Sequence, residues 1–591
     1  MDDGSFKKLF LPLHNSSNDD RFCYRSAVNL PLNDAVRYLG VGQHFCLVYC
    51  TMLLRCIIFL AVAGICAAGV QPKVIWVFTV NDLAHGQTAA ADIDGDGKLE
   101  IVFGCYRNDS TVYALNAEDG SLLWKYNTSL PTREGCNDVA PVIYDVDGDG
   151  MPEVIVPASC TDSTYCFNGA DGSIKWTVKT RGSGSPPTIA DIDGDGIPEI
   201  LHGEFGGYVI CINALDGTVK WEIAVDTKSW IQTAPTIVDI NNDGDLDFIV
   251  ATWNAVDTLN NKVYAYRRKD QKLLWTFPVT DVIYHGSAIA DLDGDGRPEL
   301  VIGSYNDTLY CINADDGALK WKYSLGKYYY VGGPAQIADL DNDGNCDVFF
   351  ISRNTFTALK GNGEILWQKT LKDYDDCFRG AAIADITNDE YPDVVFGTSK
   401  GRLIALNGND GSEIFTFDLR KEFNDTLFRI DHAPLIADFD GDGLLDAFIV
   451  GGYSVMPDFS GNYGKACLVS LGKGKGPDWL MFQNNILRNS EMCPLPTSTV
   501  MEAVSPEIEV SVIPNPVTVG SVLQITSPTE TVFTWRAVTI QGRTVSGPHT
   551  AYLETGANTI PLSSFPGLVS GTYYIVFSSG NQQRTIQITV P

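Results

Sequence analysis

The chain has 591 residues, 45% of them apolar, enough for a large core and too apolar for a disordered polyelectrolyte. Its 73 acidic against 42 basic residues leave a net charge of -31, which opposes nucleic acid and anionic membrane surfaces and favours bound cations. With 56 glycines, 11% aromatics and many Val, Ile and Thr, it reads as short strands joined by tight turns.

Residues 1–51 are polar, carry no repeat and precede a second methionine, Met52, so they are expected to be a non-native extension. Residues 52–68, MLLRCIIFLAVAGICAA, place Arg55 ahead of about 13 apolar or small residues and end in small ones, the form of a signal peptide. A membrane span needs about 20 apolar residues. Five of the 15 cysteines (Cys23, Cys46, Cys50, Cys56, Cys66) precede the expected cleavage point; the other ten would meet an oxidising compartment. Cys166, Cys211 and Cys311 each lie six residues before a repeated glycine, where other copies have Ala114 and Ala405, and read as small buried fillers. Cys160 with Cys166, and less strongly Cys105 with Cys136, are candidate disulfides.

From residue 71 to 483 the chain repeats itself eight times at a spacing of 46 to 53 residues. Acidic nonapeptides begin at Asp92 (DIDGDGKLE), Asp145, Asp191, Asp239, Asp291, Asp339, Asp385 and Asp438. Each lies between two strand-like runs, and a second hairpin follows around an Asp-Gly turn, as in VYALNAEDGSLLW. Four residues after the turn glycine stand Trp124, Trp176, Trp221, Trp321 and Trp367, with Trp275 and Phe415 at the equivalent places. Each copy therefore supplies four strands that cannot bury their own faces. Radial stacking solves that problem and predicts an all-β, eight-bladed β-propeller, with tryptophan filling the gaps between blades. The early run VIWVFTV with Trp76 is expected to close the ring as an orphan last strand, a role for which Trp479 competes.

At its acidic loops the sequence resembles the FG-GAP/VCBS repeats of integrin-like propellers, and at its tryptophan hairpins the pyrroloquinoline-quinone (PQQ) propeller repeats. Asp-x-Asp-x-Asp-Gly-x-x-Glu/Asp presents hard oxygen donors at positions 1, 3, 5 and 9 and a carbonyl at 7, with a glycine at 6 for the sharp turn. That is calcium chemistry, here structural rather than catalytic. The expected ligands are Asp92, Asp94, Asp96 and Glu100; Asp145, Asp147, Asp149 and Glu153; Asp191, Asp193, Asp195 and Glu199; and Asp239, Asn241, Asp243 and Asp247. They continue with Asp291, Asp293, Asp295 and Glu299; Asp339, Asp341, Asp343 and Asp347; and Asp438, Asp440, Asp442 and Asp446. Asn241 should weaken its site, and Thr387 with Glu390 should leave the Asp385 loop empty.

Strand alternation puts the calcium loops and Asp-Gly turns on one face. The other face collects the variable connections, with Tyr106, Arg107, Arg181, Trp230, Trp253, Tyr284, His285, Tyr305, Tyr328, Tyr329, Tyr330, Arg353, Phe378, Arg379, Arg429 and His432. Of these, Trp230, Tyr329 and Arg379 are the expected contacts for a glycan or a surface protein.

After a linker at 484–506, residues 507–591 change to alternating strands, expected as a small C-terminal β-sandwich. Pro514, Asn515, Pro516, Gly520, Gly542, Gly556, Gly571, Tyr573 and Tyr574 give this tail the look of a type A sorting domain of the Bacteroidota type IX secretion system. That resemblance implies the secretion machinery as a partner and an address outside the cell or on the outer-membrane surface. Arg584 and Gln587 depart from it, standing in a last strand that often carries lysine. The function expected is a monomeric binding or adhesion module without catalytic residues or an organic cofactor. Alternatives are a propeller polysaccharide lyase, or an architectural scaffold. A PQQ enzyme is disfavoured because the chain has no Cys-Cys pair.

Overall fold

The computed structural model describes residues 72–485 apart from 242, 327–329, 457, 473, 475 and 477, together with residue 490 and the strand backbones between 509 and 590. The expected N-terminal extension and signal peptide, most of the linker, and Tyr329 lie outside the described residues.

The repeats fold as eight antiparallel blades of a β-propeller. Blade 1 is typical: Ala89–Ala91 is innermost, followed outward by Glu100–Gly104, Thr111–Asn116 and Leu122–Asn127. The second and third strands are buried throughout apart from Asn116, because blades cover both of their faces. The outermost strand alternates between exposed and covered residues. In blade 8 the chain ends meet. Lys73–Val80 pairs antiparallel with Tyr463–Gly472, which pairs in turn with Leu445–Tyr453. The expected closure by the VIWVFTV strand is thus the one observed.

Six of the eight blades are fastened to the next by an outer tryptophan. The Trp124 indole donates Nε1–H to the Gly169 carbonyl of blade 2 at 2.6 Å, and its ring covers Gly172 in the Asp-Gly turn there. The same pairing joins Trp176 to Ala214 O and Gly217, Trp275 to Ala314 O and Gly317, Trp321 to Gly361 O and Gly363, and Trp367 to Gly408 O and Gly411. Trp76 carries it across the seam, from blade 8 to Ala117 O and Gly120 of blade 1. Glycine is required at these turns on two counts. At Gly172 φ is +68°, and a Cβ there would lie 2.5 Å from the Trp124 ring. Trp221 instead stacks on Phe248 of blade 4, with centroids 5.6 Å apart.

The centre of the ring is filled by the chain itself. Gly476 O accepts from Asp385 N of blade 7 (2.9 Å), Trp479 exchanges both backbone hydrogen bonds with Ile436 of blade 8, and Leu480 O accepts from Ala90 N of blade 1 (2.8 Å). The Gln483 amide then donates to Ser287 O of blade 5 (2.7 Å), and Ser490 O accepts from Ile337 N of blade 6 (3.0 Å). These bonds satisfy inner-edge groups that an open channel would leave to water. Trp479, 1% exposed, is therefore an axial residue and not a rival for closure, and Ser490, expected in a linker, is buried in the ring.

Cys136 and Cys160 form a disulfide, which corrects both expected pairings: Cys105 and Cys166 are free and buried. Cys211 and Cys311 are likewise free and buried, as expected of small fillers. In the tail, Glu509–Ile513, Val522–Ser527 and Gly556–Pro561 make one sheet, and Thr531–Thr539, Thr544–Leu553, Gly571–Ser579 and Gln582–Val590 make another. Of the residues behind the tail's resemblance, Pro514, Asn515, Pro516, Gly520 and Gly542 lie outside the described residues.

If indole docking holds the blades together, Trp124→Ala should lower unfolding stability by about 3–5 kcal/mol in denaturant titration, against roughly 0.5 kcal/mol or less for the exposed Trp230→Ala. Similar losses for the two would contradict this account.

Candidate metal loops and the cavity on the opposite face

The acidic loops are built by their own aspartates. In blade 1, Asp92 accepts from Gly95 N (2.8 Å) and Gly97 N (3.2 Å), Asp94 from Asp96 N (3.1 Å), and Asp96 from Lys98 N (2.8 Å). Glu100 is buried and accepts from Ile93 N through one oxygen, at 2.8 Å. Equivalent bonds recur around the ring. They gather like charges: three carboxylate oxygens lie within 4.8 Å of one another in the loops of blades 1, 2, 3, 5 and 6. Such convergence of hard donors suits a divalent cation. Blade 8 adds an independent sign. Asp446 is fully buried, its Oδ2 accepts from Phe439 N, and its Oδ1 has no hydrogen-bond partner.

Two loops differ, as their sequences suggested. In blade 4 the Asn241 amide nitrogen donates to Asp247 at 3.2 Å, satisfying a carboxylate that elsewhere faces the loop centre. In blade 7 the Thr387 hydroxyl donates to Asp393 at the same distance.

Burial and neighbouring aspartates push the last carboxyl of several loops far above its ordinary range. Glu100 reaches about 8, and Asp347, Asp393 and Asp446 about 7.

The acidic loops and Asp-Gly turns share a face, as Lys98–Glu118 (2.5 Å) and Arg297–Asp315 (3.0 Å) across them demonstrate. On the other face, blades 1 to 4 enclose a cavity of about 1040 Å³. The long connection between blades 1 and 2, from Ser129 to Glu134, forms one wall, and Phe205, Trp230, Gln232 and Tyr284 line the other side. Trp230 is 46% exposed and lies 4.7 Å from Phe205, ring to ring. Arg133 is paired with Asp162 at 2.6 Å, and Asp138 accepts from the Ser159 hydroxyl. Arg107 stacks on Tyr106 and Phe459.

Other residues expected on this surface serve the fold. Arg379 is buried: its guanidinium donates to the His85 carbonyl and lies over Tyr284 and Phe378. That corrects its expected place at the surface. Arg181 is held by the buried Glu204 (2.5 Å) and by Glu222 (3.0 Å). Tyr284, Trp253, Tyr305, Tyr330 and Phe378 pack ring to ring in that order through tilted and edge-on contacts. His432 is buried and bonded to Ala433 and Val450, and burial holds both it and His285 below the usual histidine range.

Sequence reasoning missed the cavity wall at 129–134. Its signal was the spacing of 53 residues from Asp92 to Asp145, against 46 for the next repeat.

With this geometry in place, comparison with known proteins is informative. The FG-GAP-like repeat family matches residues 92–156, 145–202 and 191–250, and the family described as outer membrane protein assembly factor BamB matches 259–456. Over 271 residues the chain is 25% identical to rhamnogalacturonan endolyase YesW of Bacillus subtilis (strain 168), covering 40% of each protein. The chain thus spans about two-fifths of that relative's length. Among solved structures, the Vibrio cholerae biofilm matrix protein Bap1 aligns with a TM-score of 0.49 at 16% identity, over 73% of this chain and 96% of that one. Quinohemoprotein alcohol dehydrogenase from Comamonas testosteroni aligns with the same score at 12% identity, over 69% and 77%.

The raised carboxyls set a pH dependence. A folded state that holds these protons above the ordinary range loses stability as pH rises from about 4 to about 8, and a bound divalent cation should abolish the loss. Metal-free protein should therefore melt lower at pH 8 than at pH 5, and calcium should remove most of the difference. A melting temperature indifferent to pH and to calcium would contradict the metal assignment.

Proposed function

We propose that this is a calcium-stabilised propeller acting outside the cell or on its surface as a polysaccharide-binding or adhesion module. The observation that carries the reading is the cavity on the face opposite the acidic loops. Its exposed Trp230 beside Phe205 offers the flat apolar surface on which a sugar ring stacks, and Gln232, Asp138 and Tyr106 supply hydrogen-bonding groups at its sides. Its volume of about 1040 Å³ suits an oligomeric ligand better than a single sugar. Five carboxylates and guanidiniums line the cavity, so a charged polysaccharide can be accommodated by re-pairing Arg133. Calcium would be held in the acidic loops and would neutralise their convergent charge. It takes no direct part in ligand capture, because the loops lie on the other face.

The Cys136–Cys160 disulfide beside the cavity favours an oxidising compartment. Delivery there is assigned to the signal peptide at 52–68 and to the tail at 507–591 acting as a type IX sorting domain, with the secretion machinery as its partner. The propeller closes on residues before the tail, so deletion of residues 507–591 should leave it folded but retained in the periplasm. Surface delivery of the truncated chain, tracked by protease accessibility on intact cells, would argue against the sorting role.

A second reading, polysaccharide cleavage, is favoured by the similarity to the endolyase. Its proposed residues would be those of the same cavity, and it is separated from pure binding by the appearance of an unsaturated product. For the binding reading, a glycan array followed by calorimetry is the direct test. Trp230→Ala with Phe205→Ala should weaken binding by about 2 kcal/mol or more. Lys98→Ala with Arg297→Ala, on the opposite face, should change nothing. If the second pair abolishes binding and the first does not, the ligand sits on the calcium face.

A further inference from the structure

Side chains from three loops meet at the junction of blades 8 and 1, and none of them is among the residues that line the cavity. His85 lies on the connection from Lys73–Val80 to the inner strand of blade 1, and Asp431 between Arg429–Ile430 and Leu435–Ala437 of blade 8. Ser454 and Asn462 flank the loop that joins Leu445–Tyr453 to Tyr463–Gly472 in the same blade.

The two ring nitrogens of His85 have different partners. Nδ1 is 3.4 Å from Asp431 Oδ2, and Nε2 is 3.4 Å from the Ser454 hydroxyl. Burial disfavours the Asp431 carboxylate, but the His85 hydrogen bond and the Arg429 guanidinium 3.3 Å away outweigh it and hold the group down at about 2. An ionised Asp431 keeps the imidazole hydrogen on Nδ1 and leaves the Nε2 lone pair for the hydroxyl. The backbone beneath the ring is pinned as well. The Arg379 guanidinium donates to the His85 carbonyl, and Arg379 O accepts from Gln87 Nε2 at 2.7 Å.

Asn462 supplies the fourth group. Its Oδ1 accepts from Val455 N at 2.9 Å, which fixes the orientation of the amide, so that Nδ2 donates to Ser454 Oγ, also at 2.9 Å. An amide N–H this close to the hydroxyl stands where negative charge gathers when an acyl carbon bonds to that oxygen.

The arrangement is particular to this histidine. His202 also meets a hydroxyl through Nε2, that of Thr164 at 2.9 Å, but its other nitrogen meets the Gly203 carbonyl, and His432 has backbone groups on both. Those two are buried. His85 retains 19% of its side-chain surface and packs edge-on against Tyr106 of the cavity lining, with centroids 5.0 Å apart. Just past Ser454 the chain exposes Val455 and Met456, so apolar surface is available to an acyl group.

We propose that Ser454, His85 and Asn462 form an esterase site, with Asp431 as its positioning residue, and that the substrate is a short-chain carboxylic ester. Ser454 Oγ attacks the acyl carbon while its proton passes to His85 Nε2, and Asn462 Nδ2 donates to the oxyanion. The bond from the acyl carbon to the alcohol oxygen then breaks, and Nε2 gives the proton to the departing oxygen. Water attacks the acyl-serine and gives a proton to Nε2, and the carboxylic acid leaves as Ser454 recovers its hydrogen. Contacts of 3.4 Å are of the length common before substrate draws such groups together. An ester carried by a ligand in the neighbouring cavity is the source that the placement favours, a point that rests on the binding reading above; the activity itself does not.

Hydrolysis of p-nitrophenyl acetate, and labelling by a fluorophosphonate with the adduct located by peptide mass spectrometry, test the site on the whole protein without any glycan. The parent should hydrolyse the ester and carry an adduct on Ser454. Ser454→Ala and His85→Ala should lose both signals, and Asn462→Ala should lower kcat about 10²- to 10³-fold. Asp431→Asn should lower kcat by up to about 10⁴-fold with KM unchanged, and should remove the downfield proton resonance of the His85 Nδ1–H while the protein stays folded. If the variants do not fold, the adduct on the parent decides alone. No adduct at Ser454, or undiminished hydrolysis by a folded Ser454→Ala chain, would overturn the esterase proposal, and glycan binding measured separately would still stand or fall by itself.

Discussion

The docking of an indole from one blade onto the turn glycine of the next is the interaction on which the ring depends. A four-stranded sheet of this size leaves both faces apolar, and lateral contact with its neighbours is the only burial open to it. The tryptophan adds a large apolar surface and one directed N–H bond at the rim, as in Trp124 to Gly169 and Trp76 to Ala117. The second contact is the one that closes the ring, because it couples the start of the chain, as the outer strand of blade 8, to blade 1. A glycine with positive φ in the facing turn is the counterpart of each indole except Trp221. Sheet, turn and tryptophan thus form one repeated unit.

That unit fixes the location of everything functional. Placing the Asp-Gly turns on one face places the acidic loops beside them, because alternate strand connections emerge on the same side. In blade 4 the turn itself supplies Arg268 and Lys269 to Asp245 of the loop. In blades 2, 3, 5 and 6 a lysine on the outer or third strand reaches the loop carboxylates. Loops of nearly identical sequence, DIDGDGKLE in blade 1 and DIDGDGIPE in blade 3, differ in their surroundings because Leu123 stands in one blade where Lys220 stands in the other.

The opposite face is governed by different physics. Most of its aromatic residues pack on one another around the axis, and Gly476, Trp479, Leu480, Gln483 and Ser490 bond to the inner edges of the blades, so no axial funnel remains among the described residues. The usable concavity is displaced from the axis, over blades 1 to 4, where the insertion between blades 1 and 2 raises a wall braced by the Cys136–Cys160 disulfide. Trp230 owes its exposure to this asymmetry. Arg379, with the same composition-based claim to the surface, is instead consumed in bonding His85.

The repeat spacing, the Asp-Gly turns and the tryptophans were enough to determine eight blades and the sidedness of the acidic loops, because each depends on local strand alternation and on a pattern copied eight times; they left the closing strand between VIWVFTV and the segment of Trp479. The carboxylate clusters were legible for the same reason: a nine-residue loop carries its own oxygen donors. What the sequence could not decide were relations between residues distant in the chain. The pairing of Cys136 with Cys160, the contact of Lys220 with Glu199, the burial of Arg379 and the bonds of Trp479 and Leu480 to the inner blade edges all arise only after blades are wrapped about a common axis. Wrapping brings unlike segments together at distances that no local periodicity encodes. It is therefore tertiary closure that decides which oxygen meets an ammonium, which aromatic residue meets water, and which inner strand edge bonds to Trp479 and Leu480.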